Sequence, residues 1–331
     1  MNPFSLTRPN SLEAAAATFA EDRFALPVLK GGGMDLLDLL KEGLIEPDAL
    51  VDVKRLGRDG PPIGREGGRI RIAGAATLAE IAADPLLGDQ APVIAQAVYD
   101  AASPQVRTVA TAAGNLLQRP RCWYFRNRKF HCNKKGGSQC FAMDGENRYH
   151  AIFHRGPCVI VHPSNLAPAL HVLDGQAHLV GGQRDSIAIA DLFHMPDRGI
   201  LDEHNLATGE VITHLTVRPG AASGFYAIKE RQSFDWPLAI AAVALELDGP
   251  VIRAARVCAG AVAPVPWPLP QVEQALAGVS VEDDETLRAA CAISIEGAEP
   301  LSQNAYKLKL LPVAVRRAVL RAAGRGEEPT S

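Results

Sequence analysis

Apolar positions in the first half of the chain fall into short runs and helical repeats by turns, a pattern that predicts α/β architecture. Ser11 followed by Leu-Glu-Ala-Ala-Ala-Ala caps and opens a helix, and Ala25 to Lys30 reads as a strand. Gly31-Gly32-Gly33 breaks the pattern, after which Met34 to Leu40 reads as a helix that Gly43 ends. Ala49 to Leu56 and Arg69 to Ala73 are further expected strands, and Thr77 to Ala102 an Ala-rich helical stretch broken near Pro85 and Pro92. Later come an expected strand at Cys158 to Val161, a short helix at Leu166 to Leu173, and a half-buried strand at Glu210 to Val217. Pro219-Gly220 marks a boundary. Beyond it, Gly224 to Lys229, Ala239 to Leu247 and Val251 to Val262 read as strands, followed by helices at Pro270 to Gly278, Asp284 to Ala292 and about Asn304 to Ala323. The polar tail, Gly326 to Ser331, is expected to be disordered.

Arg119 to His150 has no period. It is polar, basic and aromatic, and a stretch that long without an element tends to be functional. Four of the six cysteines, Cys122, Cys132, Cys140 and Cys158, fall within one stretch from Cys122 to Cys158, with spacing C-x9-C-x7-C-x17-C. Met1 to Asn10 lacks an apolar signal core, so no export signal of its own is expected, and such a thiol cluster then suggests metal ligands rather than disulfides. Four thiolates serve a cubane iron–sulfur cluster or a structural zinc, and the long spacings leave the metal's identity open. Arg119, Arg121, Arg126, Arg128, Lys129, Lys134, Lys135 and Arg148 would favour thiolate and offset its charge. Cys258 and Cys291, set among Ala and Val, read as buried thiols.

Composition adds exclusions. A 331-residue chain with 47% hydrophobic and 21% charged residues suits a soluble two-domain protein. A net charge of −3 gives no general reason to expect nucleic acid, although Trp123, Tyr124 and Phe125 could stack on bases. No run of about 18 apolar residues is present to span a membrane.

Two glycine-bearing segments carry candidate chemistry. Lys30-Gly31-Gly32-Gly33-Met34-Asp35 links a strand to a helix, where backbone N–H groups can gather on a pyrophosphate. It has neither the Gly-x-Gly-x-x-Gly nor the Walker pattern. Thr108-Val-Ala-Thr111-Ala-Ala-Gly114-Asn115 could bring backbone against a second part of the same ligand, or be a helix end with a turn.

Together these segments resemble the FAD-binding subunits of the xanthine dehydrogenase and carbon monoxide dehydrogenase family. Lys30 to Leu36 is similar to that family's first pyrophosphate loop. Gln105 through Asn115 is similar to its second, departing from the pattern at Thr108, Ala110 and Ala113. Pro163-Ser164-Asn165, Glu210-Val-Ile212-Thr213 and Tyr226-Ala-Ile-Lys229 resemble further flavin-contacting stretches. Ala261 to Trp267 and Asn304 to Lys307 resemble structural features of the C-terminal domain. The resemblance implies a PCMH-type FAD-binding domain of two α/β subdomains at 1–219, then an α+β domain of the CO dehydrogenase flavoprotein type at 220–325 and a tail at 326–331. It implies FAD contacts at Leu29, Lys30, Gly31, Gly32, Gly33, Met34, Asp35, Leu36, Thr108, Thr111, Gly114, Asn115, Asn165, Ile212 and Lys229.

The cysteine segment, an insertion at about 119–158, resembles that of the flavin subunit of bacterial molybdenum-dependent aldehyde oxidoreductases. The resemblance implies a [4Fe–4S] cluster on Cys122, Cys132, Cys140 and Cys158, with His131 or His154 as the substitute for Cys158. It further implies a heterotrimer with a [2Fe–2S] small subunit and a molybdenum-cofactor large subunit, electron transfer through FAD to an external acceptor, and no catalytic acid, base or nucleophile here. The compartment is cytoplasmic, or periplasmic if a small subunit carries the signal. Rival expectations are a stand-alone flavoenzyme and a zinc-binding assembly module.

Overall fold

The computed structural model describes residues 2–58, 60–231 and 233–325; the tail expected to be disordered lies outside them. Three sheets build the molecule. In the first, β1 (Ser5–Thr7), β2 (Pro27–Lys30) and β3 (Ala49–Asp52) lie parallel in the order β1-β3-β2. The central β3 buries Ala49, Leu50 and Val51, while its neighbours are more exposed. The Ser11 hydroxyl accepts the Ala14 N–H and opens the helix Leu12–Ala17, and Gly43 at φ +64° follows the helix Leu36–Lys41.

The second sheet is antiparallel: β4 (Ile63–Glu66), β5 (Arg69–Ala73), β6 (Gln176–Val180), β7 (Ser186–Ala188) and β8 (Val211–Val217), in the order β4-β5-β8-β6-β7. Helices Leu78–Ala83, Pro85–Gln90 and Pro92–Tyr99 cover it, broken at the two prolines as expected. Cys158 to Val161 is buried extended chain rather than a strand: the Val159 carbonyl accepts the Ala151 N–H, and no ladder forms.

The third sheet holds β9 (Ala222–Lys229), β10 (Pro237–Asp248), β11 (Val251–Gly260) and β12 (Trp267–Pro268), in the order β12-β11-β10-β9. Its central strand reads as an unbroken apolar run because both faces are buried. Ile240, Ala242 and Ala244 join the core beneath the second sheet. Ala239, Ala241, Val243 and Leu245 join a separate core closed by the helix Lys307–Ala322. One strand therefore serves two cores through its period of two.

The C-terminal core also fastens the end of the cysteine segment. Ile152 and Phe153 are buried in it and both donate backbone N–H to the Val262 carbonyl, and the Asn304 amide donates to the carbonyls of His150 and Ala151. Lys307, fully buried, donates to the Ala261 carbonyl at 2.7 Å and the Tyr149 carbonyl at 3.3 Å. Among the described residues no helix is long and apolar enough to cross a membrane.

Burial lowers the Lys307 pKa from 10.5 to about 7. Between those values the unfolded chain holds a proton that the folded chain has released, so this group makes stability rise with pH. Denaturant unfolding should therefore show wild type gaining about 1 kcal/mol relative to Lys307→Met between pH 7.5 and 8.5. Parallel pH profiles for the two proteins would contradict this.

Candidate functional site

Two backbone segments meet where the first two sheets face each other. After β2 the chain turns through Gly31-Gly32-Gly33, with Gly33 at φ +80°, and enters the helix Leu36–Lys41. Opposite, the Thr111 hydroxyl accepts the Gly114 N–H at 3.2 Å and caps the helix Ala112–Leu116. A β carbon on Gly32 would lie 2.1 Å from the Val109 carbonyl oxygen and 3.2 Å from the Ala110 Cα. Only glycine lets these two segments touch.

The second segment is stitched to the sheet behind it. The Gly74 N–H donates to the Thr213 carbonyl at 2.8 Å, and the Gly74 carbonyl accepts the Ala113 N–H at 3.0 Å. A β carbon at Gly74 would stand 2.7 Å from the Ile212 carbonyl oxygen, so this approach too excludes a side chain. Ser164 extends the support: its hydroxyl donates to the Asn115 side-chain oxygen at 2.6 Å and accepts the Ala167 N–H at 3.0 Å. Asn165 donates to the Ala97 carbonyl at 3.3 Å.

The segments enclose a cavity of about 730 Å³, within the ~300–1,000 Å³ usual for small-molecule sites. Leu29, Gly31, Gly32, Gly33, Met34, Asp35, Leu36, Thr111, Gly114, Asn115, Asn165 and Ile212 all line it. Three expected contacts lie off its wall. Lys30 pairs with Asp52 at 3.3 Å, and the Thr108 hydroxyl donates to the Gln105 carbonyl at 2.8 Å. Lys229 is buried against Asp100, with its ammonium 2.9 Å from the carboxylate and 2.7 Å from the Asp100 carbonyl oxygen. It sits behind the Ala101–Ala102 wall, and burial pushes the Asp100 carboxyl up against the pull of that lysine.

The charge at the wall is unbalanced. Asp35, Glu210 and Asp235 line the cavity, and each is matched by arginine: Asp35 by Arg121 and Arg126, Glu210 by Arg184, and Asp235 by Arg231. Lys54, Arg128 and Lys135 also line it and have no carboxylate partner among the described residues. Lys135 is held only by the carbonyls of Tyr124 and Asn127. Glycine backbone at the cavity wall and uncompensated cations beside it fit a dinucleotide diphosphate. Trp236 stands at the wall with the Arg121 guanidinium 4.9 Å from its ring centre.

Next to this cavity lies a second, of about 10 Å³, bordered by Cys122, Cys132, Cys140 and Cys158 together with His150. The four thiols expected to act together are thus side by side. Cys140 and Cys158 share a hydrogen bond, which draws the Cys140 thiol pKa down and, with burial, drives that of Cys158 up. Burial lifts Cys122 to about 11, and its sulfur lies 3.2 Å from His150 Nε2. His131 lines the larger cavity and His154 bonds the Glu299 carbonyl, so the histidine that joins the thiols is His150. Among the described residues, no three His, Cys, Asp or Glu gather closely enough to hold a single metal ion.

The basic and aromatic residues of this segment do different work from that expected. Arg121 and Arg126 turn to Asp35, and Arg119 turns to Glu203, rather than to the thiols. Lys134 and Lys135 are the cations that face the sulfurs. Tyr124, Phe130 and Phe141 pack on one another at 5.0–6.0 Å between ring centres, with Trp123 against Tyr149 at 5.5 Å. These rings form the segment's own core instead of an open stacking platform.

Residues 2–217 match the family described as the FAD binding domain in molybdopterin dehydrogenase, and residues 224–322 the CO dehydrogenase flavoprotein C-terminal domain. The aldehyde oxidoreductase FAD-binding subunit PaoB of Escherichia coli (strain K12) is 33% identical over 316 residues, covering 94% of this chain and 95% of that one. The carbon monoxide dehydrogenase medium chain of Afipia carboxidovorans is 24% identical across 98% of each. A chain of the cyanide-inactivated Cu,Mo-CO dehydrogenase superposes with TM-score 0.75 at 23% identity, covering 98% of this chain and all of that one. Quinoline 2-oxidoreductase from Pseudomonas putida 86 gives TM-score 0.75 at 21% identity, over 98% and 99%. At such identities the solved structures speak for the fold alone.

Gly32→Val should force the two glycine segments apart and lower FAD affinity at least ten-fold, about 1.4 kcal/mol. Flavin-fluorescence titration of the variant, with circular dichroism to show that it is folded, checks this. Wild-type affinity in folded Gly32→Val would count against the contact.

Proposed function

The chain belongs to the FAD-binding subunits of the molybdenum hydroxylase family, and from that premise we propose which groups it carries and where. FAD lies between the two glycine segments, a [4Fe–4S] cluster is held by Cys122, Cys132, Cys140 and Cys158, and the assembly oxidises aldehydes. The observation that carries the flavin placement is the convergence of both segments on one large cavity with an uncompensated cationic wall.

When bound, FAD supplies redox chemistry in one- or two-electron steps. This chain's residues bind and orient it. N–H groups at Gly31–Gly33 face the diphosphate, the close-packed backbone of Thr111–Asn115 lines the other side of the same cavity, and Lys54, Arg128 and Lys135 offset the charge. Ile212 and Leu29 give apolar wall to the cavity. Lys229, paired with Asp100, acts from behind that wall by fixing Ala101 and Ala102. No proton-transferring residue is assigned to the chain.

The cluster assignment rests on four thiols around one cavity and on the resemblance of the segment to the aldehyde oxidoreductase branch. A cubane takes one thiolate per iron at separate corners, so its ligands surround a space rather than converge on a point. Zinc needs convergence, which makes a single-ion site the weaker reading. The present space is about that of one water, so seating a cluster requires the Cys140–Cys158 contact to open. The partners are a [2Fe–2S] small subunit and a molybdenum-cofactor large subunit, which bears the substrate pocket.

Anaerobically purified protein should yield extracted FAD, with about four irons and four sulfides per chain. Cys132→Ser should lose the iron and keep most of the flavin. Iron content unchanged in that variant would overturn the ligand set, and absence of FAD from folded wild type would overturn the flavin placement.

A further inference from the structure

The segment from Arg119 to Cys140 touches both cavities at once. Phe125 and Lys134, each buried, line the large cavity on one side and the thiol cavity on the other. The segment is tied to the first glycine loop through one carboxylate. Asp35 accepts the Arg119 N–H at 2.8 Å and pairs with Arg121 at 2.9 Å and Arg126 at 2.6 Å.

Arg126 is the centre of this latch. Beyond Asp35 it reaches Asp38 at 2.8 Å and donates to the carbonyls of Pro120 and Arg119 at 2.8 and 2.9 Å, which fixes the turn into Cys122. It lines neither cavity. The latched segment presents Arg128 and Lys135 at the wall of the large cavity. Its far side is anchored by Lys134, which donates to Ile200, Asp202 and Glu203 at 2.9, 3.1 and 2.7 Å. Asp35 thus joins the loop that faces the ligand to the turn that carries the first thiol.

On the reading that FAD occupies the large cavity, we propose that flavin binding and the order of the cysteine segment are coupled through the Asp35–Arg126 latch. Bound FAD shields the thiols, and the latched segment tightens FAD. Coupling between two sites is reciprocal, so a segment order that favours FAD is in turn favoured by FAD. Arg126 is a positioning residue, acting on the flavin only through Asp35 and the segment it holds.

The test uses the full chain, deflavinated, stripped of iron with a chelator and reduced. Iodoacetamide labelling is followed by peptide mass spectrometry with and without FAD. FAD should slow labelling of Cys122 and Cys140 about five- to ten-fold, with buried Cys258 and Cys291 as internal controls. Arg126→Gln should raise the FAD Kd by the same factor and abolish the protection. Arg126→Lys, which keeps the charge but not the fork, should restore part of both. If Arg126→Gln does not fold, Asp38→Asn, which loosens Arg126 at a residue off the cavity wall, should raise the Kd and weaken the protection in the same direction. Labelling indifferent to FAD in wild type that binds it, or wild-type FAD affinity in either set of variants, overturns the coupling and leaves the flavin reading standing. Wild type that binds no FAD removes both.

Discussion

Between Gly32 and the Val109 carbonyl there is no room for a β carbon, and the molecule is arranged around that closeness. Two segments almost eighty residues apart in sequence are pressed backbone to backbone, so both line one cavity. Each is then held from behind. The first hangs on the end of β2, which pairs with the buried β3, and the second on Gly74, Ala76 and Ser164. Side chains line the rest of the cavity, but the approach itself is a property of bare backbone.

The cysteine segment builds outward from the same place. Its entry is tied to the first glycine loop through Asp35, and its exit is fastened to the C-terminal domain through Asn304 and Lys307. A buried lysine is costly, and here it joins the Tyr149 carbonyl near the end of the segment to the Ala261 carbonyl just after β11. The thiols therefore sit between two domains that share β10, within a segment whose own aromatic core keeps it folded. Glycine loop, thiols and the large cavity form one structural unit.

Much of this was legible in the sequence, because glycine, proline and cysteine punctuate it. The glycine loops, the proline-broken helices and the four clustered thiols all stand where the residues suggested. What was hidden depends on long-range pairing. Asp35 reads as a ligand contact, yet its carboxylate is taken by arginines some ninety residues away. Lys229 reads as a flavin contact, yet Asp100 captures it. Strands β6 and β7 are short, and β6 interleaves His178 and Gln176 with its apolar positions, so neither announces itself. The apolar run at Cys158 lacks a ladder partner, which no periodicity reveals. His150 beside Cys122 could have been found only as one more soft ligand within the cluster.

The central claim is that one dinucleotide bridges the two glycine segments. An experimental structure of the chain with FAD bound tests it most directly. The account predicts diphosphate density against the N–H groups of Gly31–Gly33 and beside the backbone of Thr111–Asn115, with Arg128 and Lys135 along the same wall. Flavin found with its diphosphate away from both segments, or a cavity left empty at saturating FAD, would contradict it.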